Sequence, residues 1–328
     1  MRFRSRSLLV RSRSLPAMAA IAFLAACGSS QPTTGNSTTG SPTTGSPTAA
    51  ADSFPTKIAA ANGTVHIGSR PAAIISLSPT VTEMLYAIGA GSQVKAVDGD
   101  SDYPPQAPKT TLSGFQPNIE AIIADHPDLV VVSGDTGGLT KHLAAFKIPV
   151  LELPAAARLS DVYAQFDELG RATGHLAQAE REDTALRSQL TRIVAVAPHH
   201  SAPLTYYYEL DQTYYSVTSA TFVGQLLDLL GMKSIADTAT GAAAAGGYPQ
   251  LSAEFIVKAD PDYIILADTI CCHQSAATVA QRPGWPALTA VKKGHVVALN
   301  DDIASRWGPR ITDLLRTVET AIAKGAGQ

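Results

Sequence analysis

The sequence predicts an α/β chain of two lobes, each a parallel β-sheet covered by helices, joined by one long rigid helix. Three observations lead there. A short pattern occurs twice, strands and helices alternate on either side of the middle, and the middle itself is a 22-residue stretch, His175 to Val196, without Gly or Pro.

The repeat reads Asn118-Ile119-Glu120-Ala121-Ile122 and then Pro127-Asp128-Leu129-Val130-Val131-Val132 in the first half. In the second half it reads Ser252-Ala253-Glu254-Phe255-Ile256 and then Pro261-Asp262-Tyr263-Ile264-Ile265-Leu266. Asn118 and Ser252 are residues that cap the free N–H groups of a helix start. Glu120 and Glu254 then fall in the first turn, where the helix dipole favours negative charge. The residue before each proline is biased out of the right-handed helical region, so each short helix ends there. The apolar run that follows has the character of a buried parallel strand. First-turn stabilisation alone would account for a glutamate at each place. Two copies also make two matching acidic knobs, suited to a partner with two-fold symmetry.

The chain opens on a processing segment, residues 1–26. Arg2, Arg4, Arg6, Arg11 and Arg13 form a basic start with no acidic residue, and the apolar stretch Leu15 to Ala26 is too short to span a bilayer. Its end, Leu24-Ala25-Ala26-Cys27, resembles a bacterial lipobox, which makes Cys27 the lipidated first residue of the mature protein. Residues 27–53 read as a tether of Ser, Thr, Gly and Pro. Such a composition cannot bury enough apolar surface to offset its ordering entropy, and as a flexible coil it reaches roughly 25–30 Å. Loss of residues 1–26 removes five arginines and moves the formal net charge from −3 to −8. An acidic chain outside the membrane is a poor partner for nucleic acid, and none is expected.

Folding begins near Phe54. Residues 54–158 form the first lobe. A strand within Pro71–Pro79 leads into a helix over 83–88, opened by Thr80 or Thr82 and closed by Gly89. A strand over 94–97, the first repeat, a helix over 139–146 and a strand over 149–153 follow. Residues 159–198 are a helical region. It holds the connector, which carries Leu176, Ala179, Leu186, Leu190 and Ile193 on one face. Residues 199–328 form the second lobe, with a strand over 204–208, a helix over 222–230, the second repeat, a strand over 296–299 and a helix over 311–323. The alternation demands a parallel, helix-covered sheet in each lobe, and a single long helix between them is a stiff connector.

Ser76-Leu77-Ser78-Pro79 with Thr82-Glu83, Ser101-Asp102-Tyr103-Pro104-Pro105, the two glutamate repeats, Tyr248-Pro249-Gln250-Leu251, and Asp302 with Arg306, Pro309 and Arg310 follow one another in order. In this set the chain resembles the substrate-binding proteins of ABC importers for cobalamin, ferric siderophores and haem, and most closely the cobalamin-binding type. The resemblance covers about Ile74 to Ala323. It implies two Rossmann-like lobes bridged by a rigid helix, a monomer, and a corrinoid or metal-chelate ligand held between the lobes without catalysis or a resident cofactor. It also implies delivery to the membrane subunits of an importer, with Glu120 and Glu254 as the docking contacts. Phe115 and Tyr248 fall where the cobalamin type has tryptophans, Tyr214 or Tyr215 where it has a phenylalanine, and Asp302 and Arg306 match its polar pair. Asp100 stands where that type has a tyrosine, and Ser133-Gly134 where it has a tryptophan, which reduces the stacking area. A ferric siderophore or haem is the rival ligand. Only Arg306 and Arg310 sit near the matched site, and this favours a weakly charged ligand.

Cys271-Cys272-His273 lies outside those motifs. It follows the strand of the second repeat, at the end where clefts open in such sheets. A vicinal disulfide is the expected state in an oxidising exterior; a metal or thiol site and two free thiols are the alternatives. An extracytoplasmic enzyme would have to rest on these three residues, since the chain has no nucleophile elbow, Walker loop or dinucleotide fingerprint. A zinc or manganese binder would need three or four ligands in the cleft, and no His or Cys spacing assembles them; His199-His200 read as solvated loop residues.

Overall fold

A computed structural model describes residues 53–327; the signal segment, Cys27 and nearly all of the tether lie outside the described residues. A hairpin comes first, β1 (Thr56–Ala60) and β2 (Gly63–Ile67). The first lobe continues with β3 (Ile74–Leu77), α1 (Pro79–Ala87), β4 (Val94–Val97), α2 (Ile119–Ala124), β5 (Leu129–Val132), α3 (Leu139–Ala144) and β6 (Val150–Glu152). Two long helices follow, α4 (Leu159–Thr173) and α5 (Leu176–Val196). The second lobe holds β7 (Leu204–Glu209), α6 (Phe222–Asp228), β8 (Met232–Ser234), α7 (Ala253–Ala259), β9 (Tyr263–Leu266), α8 (Ala276–Ala280), α9 (Thr289–Lys292), β10 (Val296–Ala298), α10 (Asp301–Ser305) and α11 (Ile311–Ala326).

Both lobes are parallel four-stranded sheets, ordered β4-β3-β5-β6 and β8-β7-β9-β10. The order is the same in each, so the sequence repeat is a repeat of architecture. Its Pro-Asp pair has a structural task in both copies. Asp128 accepts hydrogen bonds from the Ala72 and Ala73 N–H groups (2.8 and 3.0 Å), just ahead of β3. Asp262 accepts from the Thr205 N–H and hydroxyl (both 2.8 Å) in β7. Each aspartate thus fixes the register of the strand beside its own. His126 and Asp260, the residues before the prolines, take left-handed φ values of 49° and 44°, which ends each short helix without an extended residue.

The expected elements are present as strands and helices. The structure adds the edge strand β8 and the short helices α8 and α9 of the second lobe, which were not anticipated, and differs in three further respects. Neither Thr80 nor Thr82 caps α1. The helix starts at Pro79, whose fixed φ suits a first position, and the Thr82 hydroxyl is turned into a buried network instead. The β1–β2 hairpin was not anticipated. Its turn residue Asn62 bonds the backbone of β6 through Val150 O and Glu152 N (2.9 and 3.3 Å), covering that sheet edge. The short α10, carrying Asp302, was also not anticipated.

α4 and α5 form an antiparallel pair turned by Gly174 at φ 72°. At the start of α5, His175 Nε2 lies 3.0 Å from Arg70 of the first lobe; its far end, Val194 and Ala197, borders Asp228–Gly231 of the second. At 21 residues α5 is roughly 30 Å long. One apolar cluster runs along it, from Met84 and Phe166 through Leu186 and Leu190 to Tyr208 and Leu315. Separate clusters fill the other faces of the two sheets, around Val130 and around Trp285. The shared core makes α5 a strut.

Candidate functional site

The C-terminal end of β3 builds one wall of the site. Thr82 Oγ1 bonds Ser76 Oγ at 2.9 Å and Ser101 Oγ at 2.8 Å, and Ser101 donates to Asp98 at 2.5 Å. All are buried. This network holds the loop 98–102 against the sheet. Burial pushes the Asp98 carboxyl up, against the hydrogen bond from Ser101. A second loop is pinned at Gly114, where a Cβ would collide with the Leu77 carbonyl, and Phe115 follows it with 79% of its surface exposed.

The opposite wall is the segment between α10 and α11. Arg306 Nη1 donates to Glu83 Oε1 at 2.9 Å and to Asp102 at 3.0 Å; its Nη2 donates to Asp302 at 2.6 Å and to the Asp100 carbonyl at 3.0 Å. Arg310 donates twice to the Glu83 carboxylate, at 2.9 and 2.6 Å, and its guanidinium lies 4.1 Å from the Tyr103 ring centre. The Glu83 side chain is fully buried and that of Arg306 is 9% exposed. These contacts latch the second lobe to the first. Within the latch, burial opposes charge on both Asp102 and Asp302. At Asp102 the hydrogen bond from Arg306, its positive charge and further hydrogen bonds together outweigh burial and hold the carboxyl below the ordinary range, whereas Asp302, facing Asp102, is pushed above it.

Between the walls lies a cavity of about 490 Å³, lined by Asp98, Asp100, Phe115, Asp302, Arg306 and Trp307 among others. Trp307 is anchored by its Nε1–H to Gln165 of α4 (2.9 Å). Of the residues expected here, Phe115, Asp302 and Arg306 are brought together. Arg306 was expected to offer its fork to a ligand, but its donors are taken by Glu83, Asp102, Asp302 and Asp100. Tyr215 and Tyr248 do not line this cavity. They lie on adjoining extended segments, joined by the Tyr215–Gln250 bridge, with 41% and 45% of their surfaces exposed. Tyr214 is turned away: its ring stacks on Trp285, 5.9 Å between centres, in the second-lobe core. Tyr214 has a left-handed φ of 69°, a turn that separates the direction of its side chain from that of Tyr215 in the bridge that follows.

Glu120 and Glu254 are exposed in the first turns of α2 and α7. Asn118 accepts from Ala121 N–H at 2.9 Å and Ser252 from Phe255 N–H at 3.1 Å, as the capping pattern requires. Backbone N–H bonding at the helix start, with Ser252, lowers the Glu254 carboxyl below its ordinary range.

The bond expected between Cys271 and Cys272 is absent from this structure. Both are free thiols, with Sγ atoms 2.6 Å apart. The loop is clamped by Asp301, which accepts from Ile270 N–H (2.9 Å) and Cys271 N–H (2.7 Å). The contact with Cys272, burial and the Asp301 carboxylate push the Cys271 thiol up to about 12. Among the described residues, no group of three or more His, Cys, Asp or Glu is placed to hold a metal ion.

Three features escaped sequence reasoning. The Thr82-Glu83 motif does not mark Glu83 as the hub of the latch, and nothing in the sequence places Trp307 in the wall. In the second lobe, Glu209 at the end of β7 is bidentate to Arg282 (2.5 and 2.6 Å), beside a fully buried Asp268 whose oxygens have no hydrogen-bond partner. Burial, reinforced by the Glu209 charge, pushes Asp268 up to about 7. No local pattern announces a carboxylate whose partner lies 73 residues away.

Comparison with known proteins agrees with this geometry. The model of the family described as periplasmic binding protein matches residues 74–303. An uncharacterized ABC transporter substrate-binding lipoprotein of Bacillus subtilis is 30% identical over 79% of this chain and 83% of its own length. A vitamin B12-binding protein of Pectobacterium atrosepticum is 34% identical over 74% of this chain and 85% of its own. The crystal structure of a periplasmic vitamin B12 binding protein of Vibrio cholerae superposes with a TM-score of 0.64 at 25% identity, covering 79% of this chain and 99% of that one.

Proposed function

The chain belongs to the periplasmic binding protein family, and on that premise we propose that it captures a corrinoid between its lobes and hands it to the membrane subunits of an ABC importer. The observation that carries this reading is the cavity lined from both lobes, with Phe115 exposed in one wall and Trp307 in the other. Flat aromatic faces suit a macrocycle, and a relative named as a vitamin B12-binding protein supports choosing a corrinoid. Tyr215 and Tyr248 add exposed aromatic surface to the second lobe. Capture and release need no catalytic step. Cys27 carries the lipid that holds the protein at the outer face of the cell membrane, and Glu120 and Glu254 meet basic side chains on the two membrane subunits.

Titration of the purified protein with cyanocobalamin, a ferric siderophore and haem, followed by tryptophan fluorescence, tests the ligand. Of the two tryptophans, Trp285 is fully buried in the second-lobe core, so quenching reports on Trp307. Saturable quenching by cyanocobalamin is expected. Saturation by the siderophore or haem, with none by cyanocobalamin, would overturn the corrinoid reading.

A further inference from the structure

The charge inside the cleft narrows the ligand further. The latch and the cavity wall together hold five carboxylates, Glu83, Asp98, Asp100, Asp102 and Asp302, against the two guanidinium groups of Arg306 and Arg310. Both guanidiniums are already paired with carboxylates. Arg310 is committed to Glu83, and Arg306 is shared among Glu83, Asp102 and Asp302. Asp100 is exposed in the cavity wall, and among the described residues no cation pairs with it.

We infer that this cleft sorts ligands by charge, accepting a neutral or cationic, amide-edged macrocycle and excluding polyanionic iron chelates and carboxylate-bearing porphyrins. This rests on the reading of the cleft as the solute site, but not on the solute being a corrinoid. An anionic ligand needs a cation to answer it, and Arg310 paired with the buried Glu83, and Arg306 shared among Glu83, Asp102 and Asp302, cannot turn to it without weakening those pairs and leaving Glu83 under-compensated. It would also meet the uncompensated negative charge of Asp100 at close range, on an exposed wall where the repulsion is strong at low salt and weakened by added salt. Primary amides meet the opposite situation. Carboxylate oxygens are acceptors only, so amide N–H groups at a macrocycle's edge find partners in Asp100 and Asp302. A cationic edge gains further from the same field.

The test varies charge on one macrocycle. Isothermal titration of the whole folded protein compares cyanocobalamin, the derivative with one side-chain amide hydrolysed to a carboxylate, and that carboxylate coupled to ethylenediamine, which restores the amide and adds an ammonium. The carboxylate should bind at least roughly tenfold more weakly than the ammonium form in about 50 mM salt, with the gap shrinking in about 0.5 M salt. Asp100→Asn should narrow the gap at low salt. Equal affinity for all three corrinoids, or tight binding of a ferric tris-catecholate or of haem, would overturn the inference. Binding of a neutral ferric hydroxamate with rejection of both the corrinoids and the tris-catecholate would sink the corrinoid reading and uphold the charge rule.

Discussion

Glu83→Gln isolates the centre of the latch. The native carboxylate is fully buried and accepts three bonds, one from Arg306 and two from Arg310, at 2.9, 2.9 and 2.6 Å. Glutamine keeps the shape but removes the charge, and turns an NH2 group toward a guanidinium that can only donate. Breaking a buried ion pair by removing one partner costs about 3–5 kcal/mol. The lower end applies, about 3 kcal/mol, because Asp102 and Asp302 still compensate Arg306. For a folded body of this size, roughly 2–4 °C of melting temperature goes with each kcal/mol, so a fall of about 6–12 °C is expected. Asp102→Asn is the control. Its side chain is 56% exposed and meets the same arginine, so its loss should cost under about 1 kcal/mol. Thermal unfolding by circular dichroism, with calorimetry to check for a single transition, reads both. A Glu83→Gln shift no larger than that of Asp102→Asn would refute the argument that burial makes Glu83 the hub.

Replacing both Glu120 and Glu254 with alanine should leave ligand affinity within about twofold and stability within about 1 kcal/mol, since both are exposed; uptake into cells should fall sharply, and undiminished uptake would remove the docking role. Cys27→Ser should leave the protein out of the membrane fraction, and its retention there would remove the lipid anchor. Asp268 titrates near 4 in an unfolded chain and near 7 when folded, so the native state holds its proton more tightly. Its contribution to stability is full below about pH 4 and is lost as pH rises through about 7. Asp268→Asn should therefore melt higher than the native protein at pH 8, by an effect on the order of 2–4 kcal/mol, with the advantage fading toward pH 5. A pH-independent difference would contradict this assignment.

How much was legible in the sequence depended on whether the physics was local. Capping, strand burial and the connecting helix depend on neighbours within a few residues, and Asn118, Ser252, the fully buried β5 and β9, and α5 appear where the pattern puts them. The β1–β2 hairpin carried a local signal, Asn62-Gly63 between alternating residues, that went unread. The latch is different in kind. Glu83 meets Arg306 and Arg310 across 223 and 227 residues, and nothing near Glu83 distinguishes a buried hub from an ordinary residue of an amphipathic helix. Tyr214 and Tyr215 show the same limit at closer range. Position in a motif brought both forward, and only the backbone direction decides which ring enters the core.

The two lobes repeat some features and not others, and the division follows the two surfaces the proposed role needs. The repeated elements are the strand order, the aspartate that clamps the neighbouring strand, and the capped helix that presents one exposed glutamate. A partner made of two like subunits requires that likeness, because each must find the same charge in the same setting. The ends of the matching strands β3 and β7 are unlike. β3 runs into Ser78-Pro79 and the helix bearing Glu83, facing the cleft. β7 ends in Glu209, closed off inside its own lobe by Arg282. A ligand without two-fold symmetry gains nothing from identical walls. One lobe supplies the carboxylate-rich wall and the other the arginines that latch onto it, so the contact holding the lobes in register is also what leaves the cleft acidic. Weakening the latch at Glu83 should therefore change both the spacing of the lobes and the charge the ligand meets, whereas neutralising Asp100 should change the charge alone.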